Sequence, residues 1–66
     1  MDLFNELTQF GSVMKSTESE NHITFTIRLG RKTFLLSYFF TDDGWEYEIT
    51  DRFGNVKDNG IYSRIA

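Results

Sequence analysis

The feature that most constrains the fold is a run of alternating apolar and polar residues that begins at residue 23. A period of two is typical of strands that bury one face. Gly30 and Arg31 interrupt the alternation, and glycine in the first of two turn positions favours a type II′ hairpin. Residues that this hairpin places directly opposite each other share a face. The predicted pairs are Leu29 with Lys32, Ile27 with Phe34, Phe25 with Leu36, and Ile23 with Tyr38.

A second hairpin signal follows in the stretch TDDG, residues 41–44. It closes either as a type I turn or as a two-residue turn at Asp43-Gly44. The two closures differ by an even number of residues, so both give the same faces. The tyrosines and the tryptophan of these strands are therefore predicted in the core rather than in a ligand cage. The apolar residues predicted to continue the core face are Phe34, Leu36, Tyr38, Phe40, Trp45, Tyr47 and Ile49.

The first part of the chain predicts an amphipathic helix over residues 2–15. Four apolar residues recur at helical spacing: Leu3, Leu7, Phe10 and Met14. Asp2 is a suitable N-cap residue. Gly11 weakens the pattern, because it either permits close packing on a sheet or ends the helix early. Residues 15–22 are polar and have no period, so we expect a loop there.

Together these patterns predict an α+β fold, with an N-terminal helix packed on one face of a small antiparallel β-meander of three to four strands. The stretch DRFG after the third strand predicts a further turn, and the residues after it form either a short strand or a helical turn. We favour the strand. The expected strands are 22–29, 32–41, 44–51 and 56–65, and the first and last of them would be the exposed edges.

Length and composition indicate one small domain, residues 1–66, without cysteine. Disulfides, thiol chemistry and cysteine-ligated metals are therefore excluded. The N-terminal stretch has no secretory signal pattern, and no run approaches the length of a membrane span. We expect a cytoplasmic protein with no membrane partner. The net charge of −3 and the sequence pI of about 4.9 disfavour a nucleic-acid partner.

The face opposite the predicted core is polar but carries two large apolar residues, Leu35 and Phe39. Two explanations are open for them. Either they are covered by the C-terminal segment or simply exposed, as single apolar residues often are, or they form a binding patch rimmed by polar groups. The residues we expect in such a protein-binding surface are Leu35, Phe39, Glu46, Glu48 and Arg28, with the acidic hairpin Asp42 and Asp43 beside it.

The sequence predicts no catalytic, metal or cofactor site, and we expect no enzyme. His22 is the only histidine, so neither a catalytic triad nor a zinc site of recognised spacing is present. Five carboxylates lie within ten residues, but their spacing matches no calcium loop. They form either a solvated strand face or an acidic surface that docks on a basic partner. Their positions are Asp42, Asp43, Glu46, Glu48 and Asp51.

These observations predict a small acidic protein-binding module, a non-enzymatic regulator or inhibitor of bacterial or phage type that acts through the outer sheet face. The alternative is a homodimeric structural module that uses the same face or a sheet edge. A second alternative is a weak binder of single-stranded nucleic acid. It would use the basic tip of the first hairpin, Arg31 and Lys32.

Overall fold

The computed structural model describes residues 2–62 of the chain. Its elements are one helix and five strands, namely α1 (Leu3–Phe10), β1 (Ser12–Ser19), β2 (His22–Leu29), β3 (Lys32–Thr41), β4 (Gly44–Asp51) and β5 (Val56–Tyr62). Each strand pairs antiparallel with the next one in sequence, so the sheet order is β1-β2-β3-β4-β5.

The predicted α+β class is wrong. The chain is mostly one antiparallel sheet of five strands with a single short helix, and 67% of the described residues lie in strands against 13% in the helix. The difference arises between residues 11 and 19. The helix ends at Phe10, and the residues predicted as its second half and as a loop form β1. Strand 22–29 is therefore an interior strand, and β1 and β5 are the edges.

Gly11 ends the helix and also lets the chain pass close to the sheet. Its backbone is extended, with φ −73° and ψ 152°, and its N–H donates to the carbonyl of Leu7 at 3.0 Å. A Cβ atom at this position would collide with Cγ2 of Ile27 and would lie 2.6 Å from the Leu7 carbonyl oxygen. Both roles that the sequence left open for this glycine are thus realised together.

The predicted strands after β1 are found where the alternation places them. The four predicted pairs between β2 and β3 are all observed, from Leu29 with Lys32 to Ile23 with Tyr38. Gly30 has a φ of 65° whereas Arg31 does not have a positive φ, which is the type II′ arrangement. Asp42 and Asp43 form the turn between β3 and β4, with Thr41 opposite Gly44. The favoured last strand is present as β5, and residues 63–65 of its predicted span lie outside the described residues.

The core lies between α1 and the middle of one sheet face. Its buried side chains are Leu7, Ile27, Phe34, Leu36 and Ile49. Leu7 is the only buried residue of the helix, and Asp2 fixes the helix start by accepting a hydrogen bond from the N–H of Asn5 at 2.8 Å. The helix is short, so it covers only part of the sheet.

Several residues predicted in the core are therefore exposed. Phe40, predicted under the helix, is 54% exposed and packs against Trp45 with their ring centroids 5.4 Å apart. Phe10 and Met14, predicted on the buried helix stripe, are exposed by 65% and 60%. The apolar face predicted from parity is confirmed in register, but the helix covers only its central part.

Tyr47 links the helix to the last strand. Its ring lies 4.3 Å from the ring of Phe4, and it packs over Gly60, which stands opposite it in β5. Burial raises the pKa of Tyr47, and the nearby charges of Asp58 and Asp2 raise it further. The absence of a side chain at Gly60 makes room for this ring.

Candidate functional site

The sheet face opposite α1 is called the outer face here, and the five predicted binding residues all lie on it. Phe39 stands opposite Glu46, Ser37 opposite Glu48, Leu35 opposite Thr26 and Thr50, and Arg28 opposite Thr33. The face is one continuous surface because each strand contributes alternate residues to it. Parity alone predicts this placement, which the register of the central hairpins bears out.

No element within residues 2–62 covers the outer face. The helix packs on the other side, and β5 extends the sheet beside β4 instead of folding over Leu35 and Phe39. Both side chains are half-buried by their neighbours in the sheet. Residues 63–66, part of the segment considered as a possible cover, lie outside the described residues.

Phe39 is the centre of the larger apolar feature on this face. Its ring lies 6.4 Å from that of His22 and perpendicular to it, in the next strand. On the other side stands Glu46, and beyond it Ile61, which is 67% exposed. A shallow cleft of about 380 Å³ runs between Phe39 and Ile61, and Glu48 and Asn59 line it as well.

Ile61 is the residue of this surface that the sequence analysis missed. Its position depends on the pairing of β5 with β4, which places Ile61 opposite Glu46. A bulge between Ile49 and Thr50 shifts that pairing. Counting alternate residues from β4 through the 52–55 turn could not have assigned the face of Ile61, because a bulge adds a residue to one strand only.

Hydrogen bonds hold the acidic part of the surface in place. The hydroxyl of Thr41 is the donor toward two acceptors, Oε2 of Glu46 and the carbonyl oxygen of Gly44, each 3.0 Å away. The N–H of Asp43 donates to the same hydroxyl oxygen at 3.2 Å. Thr41 therefore couples the Asp42-Asp43 turn to the carboxylate of Glu46, and the acidic hairpin adjoins the outer face.

Arg28 does not join this group. It lies on the outer face but near the other end of the strands, where its Nε donates to the carbonyl of Gly30 at 3.1 Å. Its partner Thr33 is six residues from Phe39 along β3, which is about 20 Å at a rise of about 3.3 Å per residue. Leu35 lies between the two. The predicted surface is thus an elongated strip rather than one compact patch.

The five carboxylates that are close in sequence are separated in space. Asp42 and Asp43 are exposed in a turn, and Glu46 and Glu48 lie on the outer face. Asp51 is on the helix face at the opposite end of the sheet, where it accepts hydrogen bonds from the backbone of Phe53 and Asn55. They do not form one acidic cluster.

Within the described part of the chain, no group of three or more potential ligands is arranged to hold a metal ion. No helix there is both long and apolar enough to cross a membrane. Comparison with protein-family models, with curated proteins and with solved structures gave no match.

Proposed function

We propose that this protein is a non-enzymatic binding module that docks on a basic partner protein through the Phe39 end of its outer face. The observation that carries this proposal is the cleft in which Phe39 and Ile61 flank Glu46, on a sheet face that no element within residues 2–62 covers. A carboxylate between two apolar side chains suits a lysine or arginine of the partner, because the alkyl stem of that residue can pack on apolar surface while its charged end meets the carboxylate. The hydrogen bonds that Thr41 makes with Glu46 and with Asp43 of the adjacent turn favour a preformed surface.

The charge of the surface supports a basic partner. Glu46 lies between the two apolar residues, Glu48 lines the same cleft, and the Asp42-Asp43 turn adjoins Glu46 through Thr41. None of the described residues that line the cleft is basic. Complementary charge across an interface raises the association rate and selects the partner more than it adds affinity. We therefore expect binding that weakens moderately with salt.

The size of the outer face favours a transient complex. Five strands about 4.8 Å apart and about eight residues long give a face of roughly 500 Å². Stable complexes of ordinary size bury about 800 Å² on each partner. A partner that used this face would bind in the weak or regulatory range, unless it also reached the turns at its end.

Binding explains the carboxylates of this face better than catalysis does. Glu46 and Glu48 lie side by side on one strand, in a cleft that is shallow and open. Acid–base chemistry by paired carboxylates requires a pocket that surrounds the substrate and separates the pKa values of the two groups. We infer a binding role for both glutamates.

A homodimer is the second candidate, and β1 is the observation that favours it. Every residue of this edge strand is exposed, including Val13 and Met14, both 60% exposed. An exposed edge with apolar side chains can pair with the same edge of a second copy. The bulge next to Met14 and the charge of Lys15 oppose such pairing.

The test compares two neighbouring phenylalanines on opposite faces of β3. Wild type, Phe39→Glu and Phe40→Glu are immobilised and used for capture from a lysate, after circular dichroism has shown that each is folded. We expect a partner of basic pI that wild type and Phe40→Glu retain and Phe39→Glu loses. With that partner purified, Glu46→Gln should weaken binding several-fold and reduce its salt dependence.

The proposal is wrong if Phe40→Glu loses the partner as fully as Phe39→Glu does, or if wild type retains no basic protein. Sedimentation equilibrium from low to high micromolar concentration then decides the second candidate. A dimer that Met14→Glu dissociates and Phe39→Glu does not would place the self-association at the β1 edge.

A further inference from the structure

The end of the sheet opposite Asp42 and Asp43 carries a basic groove. In a meander alternate turns lie at the same end, so the Gly30-Arg31 turn and the 52–55 turn are neighbours. Between them is an open groove of about 600 Å³. Four of the chain's seven basic residues line it, namely Arg31, Lys32, Arg52 and Lys57. The sequence analysis found only the first two of these.

The groove also contains apolar and aromatic surface. Leu3 and Phe34 line it, and Phe53 projects from the 52–55 turn with 74% of its surface exposed. The guanidinium carbon of Arg52 lies 4.8 Å from the centroid of the Phe53 ring. Such a cation–π contact holds an exposed ring and a charge side by side. Nothing in the described core requires Phe53 at this position.

Among the described residues that line the groove, Asp51 is the one carboxylate, and its oxygens already accept hydrogen bonds. Oδ1 of Asp51 accepts hydrogen bonds from the N–H groups of Phe53 and Asn55 at 2.8 and 3.0 Å, and Oδ2 accepts one from the Asn55 amide at 3.1 Å. Lys57 lies 3.8 Å from Oδ2. Asp51 therefore orders the turn that presents Phe53, and it offsets one of the four positive charges, that of Lys57, so the described lining of the groove has a net charge of +3 (four cations minus one carboxylate).

The positive field of the groove is not cancelled by the acidic hairpin. The ten residues of β3 separate the two ends by about 30 Å. That is nearly four Debye lengths of about 8 Å at physiological ionic strength, so the charges of one end are screened at the other. A net charge of −3 for the whole chain is thus compatible with the binding of a polyanion at this end of the sheet.

We propose that this groove binds single-stranded nucleic acid. Four cations around an exposed aromatic ring supply phosphate contacts and a stacking surface, which are the two elements of sequence-tolerant single-strand binding. An acidic peptide is the less suitable occupant. Two of the strands that line the groove, β3 and β4, are already paired on both sides, and the edge strand β5 contributes only Lys57, so a peptide lying in the groove gains no added strand from β3 or β4. This proposal is independent of the outer-face proposal and uses different residues.

The test measures fluorescence anisotropy of labelled twelve-residue oligothymidylate and oligouridylate with the full chain. Contacts with three or four phosphates predict that affinity falls about 20- to 50-fold between about 50 mM and 200 mM salt. Phe53→Leu should weaken binding about fivefold or more through lost stacking. Arg52→Glu should weaken it at least as much. Lys15→Glu makes the same charge change on β1, outside the groove, and serves as the matched control.

The proposal is overturned by any of three results. One is no anisotropy change with either oligonucleotide at low salt. Another is equal weakening by Arg52→Glu and Lys15→Glu, which would mean that only net charge matters. The third is displacement of the oligonucleotide by a hexaglutamate peptide at equal charge concentration with no effect of Phe53→Leu, which would favour an acidic protein partner instead. Different affinities for the two oligonucleotides would support binding and show which sugar is preferred.

Discussion

Replacement of Gly11 by alanine tests the account of where the helix ends. The glycine's backbone is extended, a conformation that alanine adopts without strain, so the effect comes from the side chain. The added methyl group would collide with Cγ2 of the buried Ile27 and crowd the Leu7 carbonyl. Overpacking of this kind costs about 1–3 kcal/mol. The lower entropy of the unfolded alanine chain returns about 0.4–1 kcal/mol.

We therefore expect Gly11→Ala to lower the free energy of unfolding by about 1–2 kcal/mol, or the Tm by roughly 5–15 °C in a domain of this size. A helix continuing to residue 15 would give the opposite sign, because alanine stabilises a helix interior by about 1 kcal/mol over glycine. Thermal and urea unfolding followed by circular dichroism measure the difference. Gln9→Ala, at an exposed position of α1, controls for helix propensity. A Tm that rises or stays constant in Gly11→Ala would refute the close approach to Ile27.

Three further predictions follow from packing and charge. Leu7→Ala should lower the free energy of unfolding by about 2–5 kcal/mol, since Leu7 is 1% exposed. Phe10→Ala on the same helix should change it by less than about 0.5 kcal/mol. Equal losses for the two variants in denaturant titrations would contradict the observed position of the helix. Gly60→Ala should cost about 1 kcal/mol, because its Cβ would lie 2.9 Å from the ring of Tyr47, and an unchanged urea midpoint would mean that the ring simply moves aside. Desolvation is the largest single effect on the pKa of Asp51 and raises it, but the hydrogen bonds from Asn55 and Phe53 and the charge of Lys57 together outweigh it, so the pKa lies below its ordinary value of 3.8. The stabilisation is therefore complete above that value and is lost as the pH falls through the lower folded-state pKa. Tm measured from pH 6 to pH 2 should fall less steeply in Asp51→Asn than in wild type; parallel curves would exclude Asp51 as a source of the acid sensitivity.

The sequence was sufficient to predict the central hairpins because the residues that determine each turn and its strand register lie within the hairpin itself. Gly30 dictates the first turn, and the alternation on both sides of it tolerates only one register. Residues 11–19 were misassigned because Met14 continues the helical spacing of Leu3, Leu7 and Phe10 and fits an exposed strand equally well. An edge strand that faces solvent on both sides has no buried positions, so its sequence lacks the alternation that marks β2.

The candidate surfaces were predictable to different degrees. The placement of Phe39 and Glu46 on one face follows from parity within two adjacent hairpins. The position of Ile61 depends on a bulge, which has no reliable sequence signal. Arg52 and Arg31 line the same groove because alternate turns of a meander lie at the same end of the sheet. A predicted meander is therefore enough to place these two basic turns at one end of the sheet, whereas the contribution of Leu3 to the groove depends on how the helix packs.

The strictly sequential order of the strands has a consequence for how the chain folds. Each strand pair is closed by a short turn, so the sheet can assemble hairpin by hairpin without closing a long loop. The helix is the exception, because Phe4 reaches Tyr47 and so joins segments more than forty residues apart. We expect the β2–β3 hairpin to form early and the docking of α1 to come last. In stopped-flow kinetics, Leu7→Ala would then accelerate unfolding and leave the refolding rate nearly unchanged.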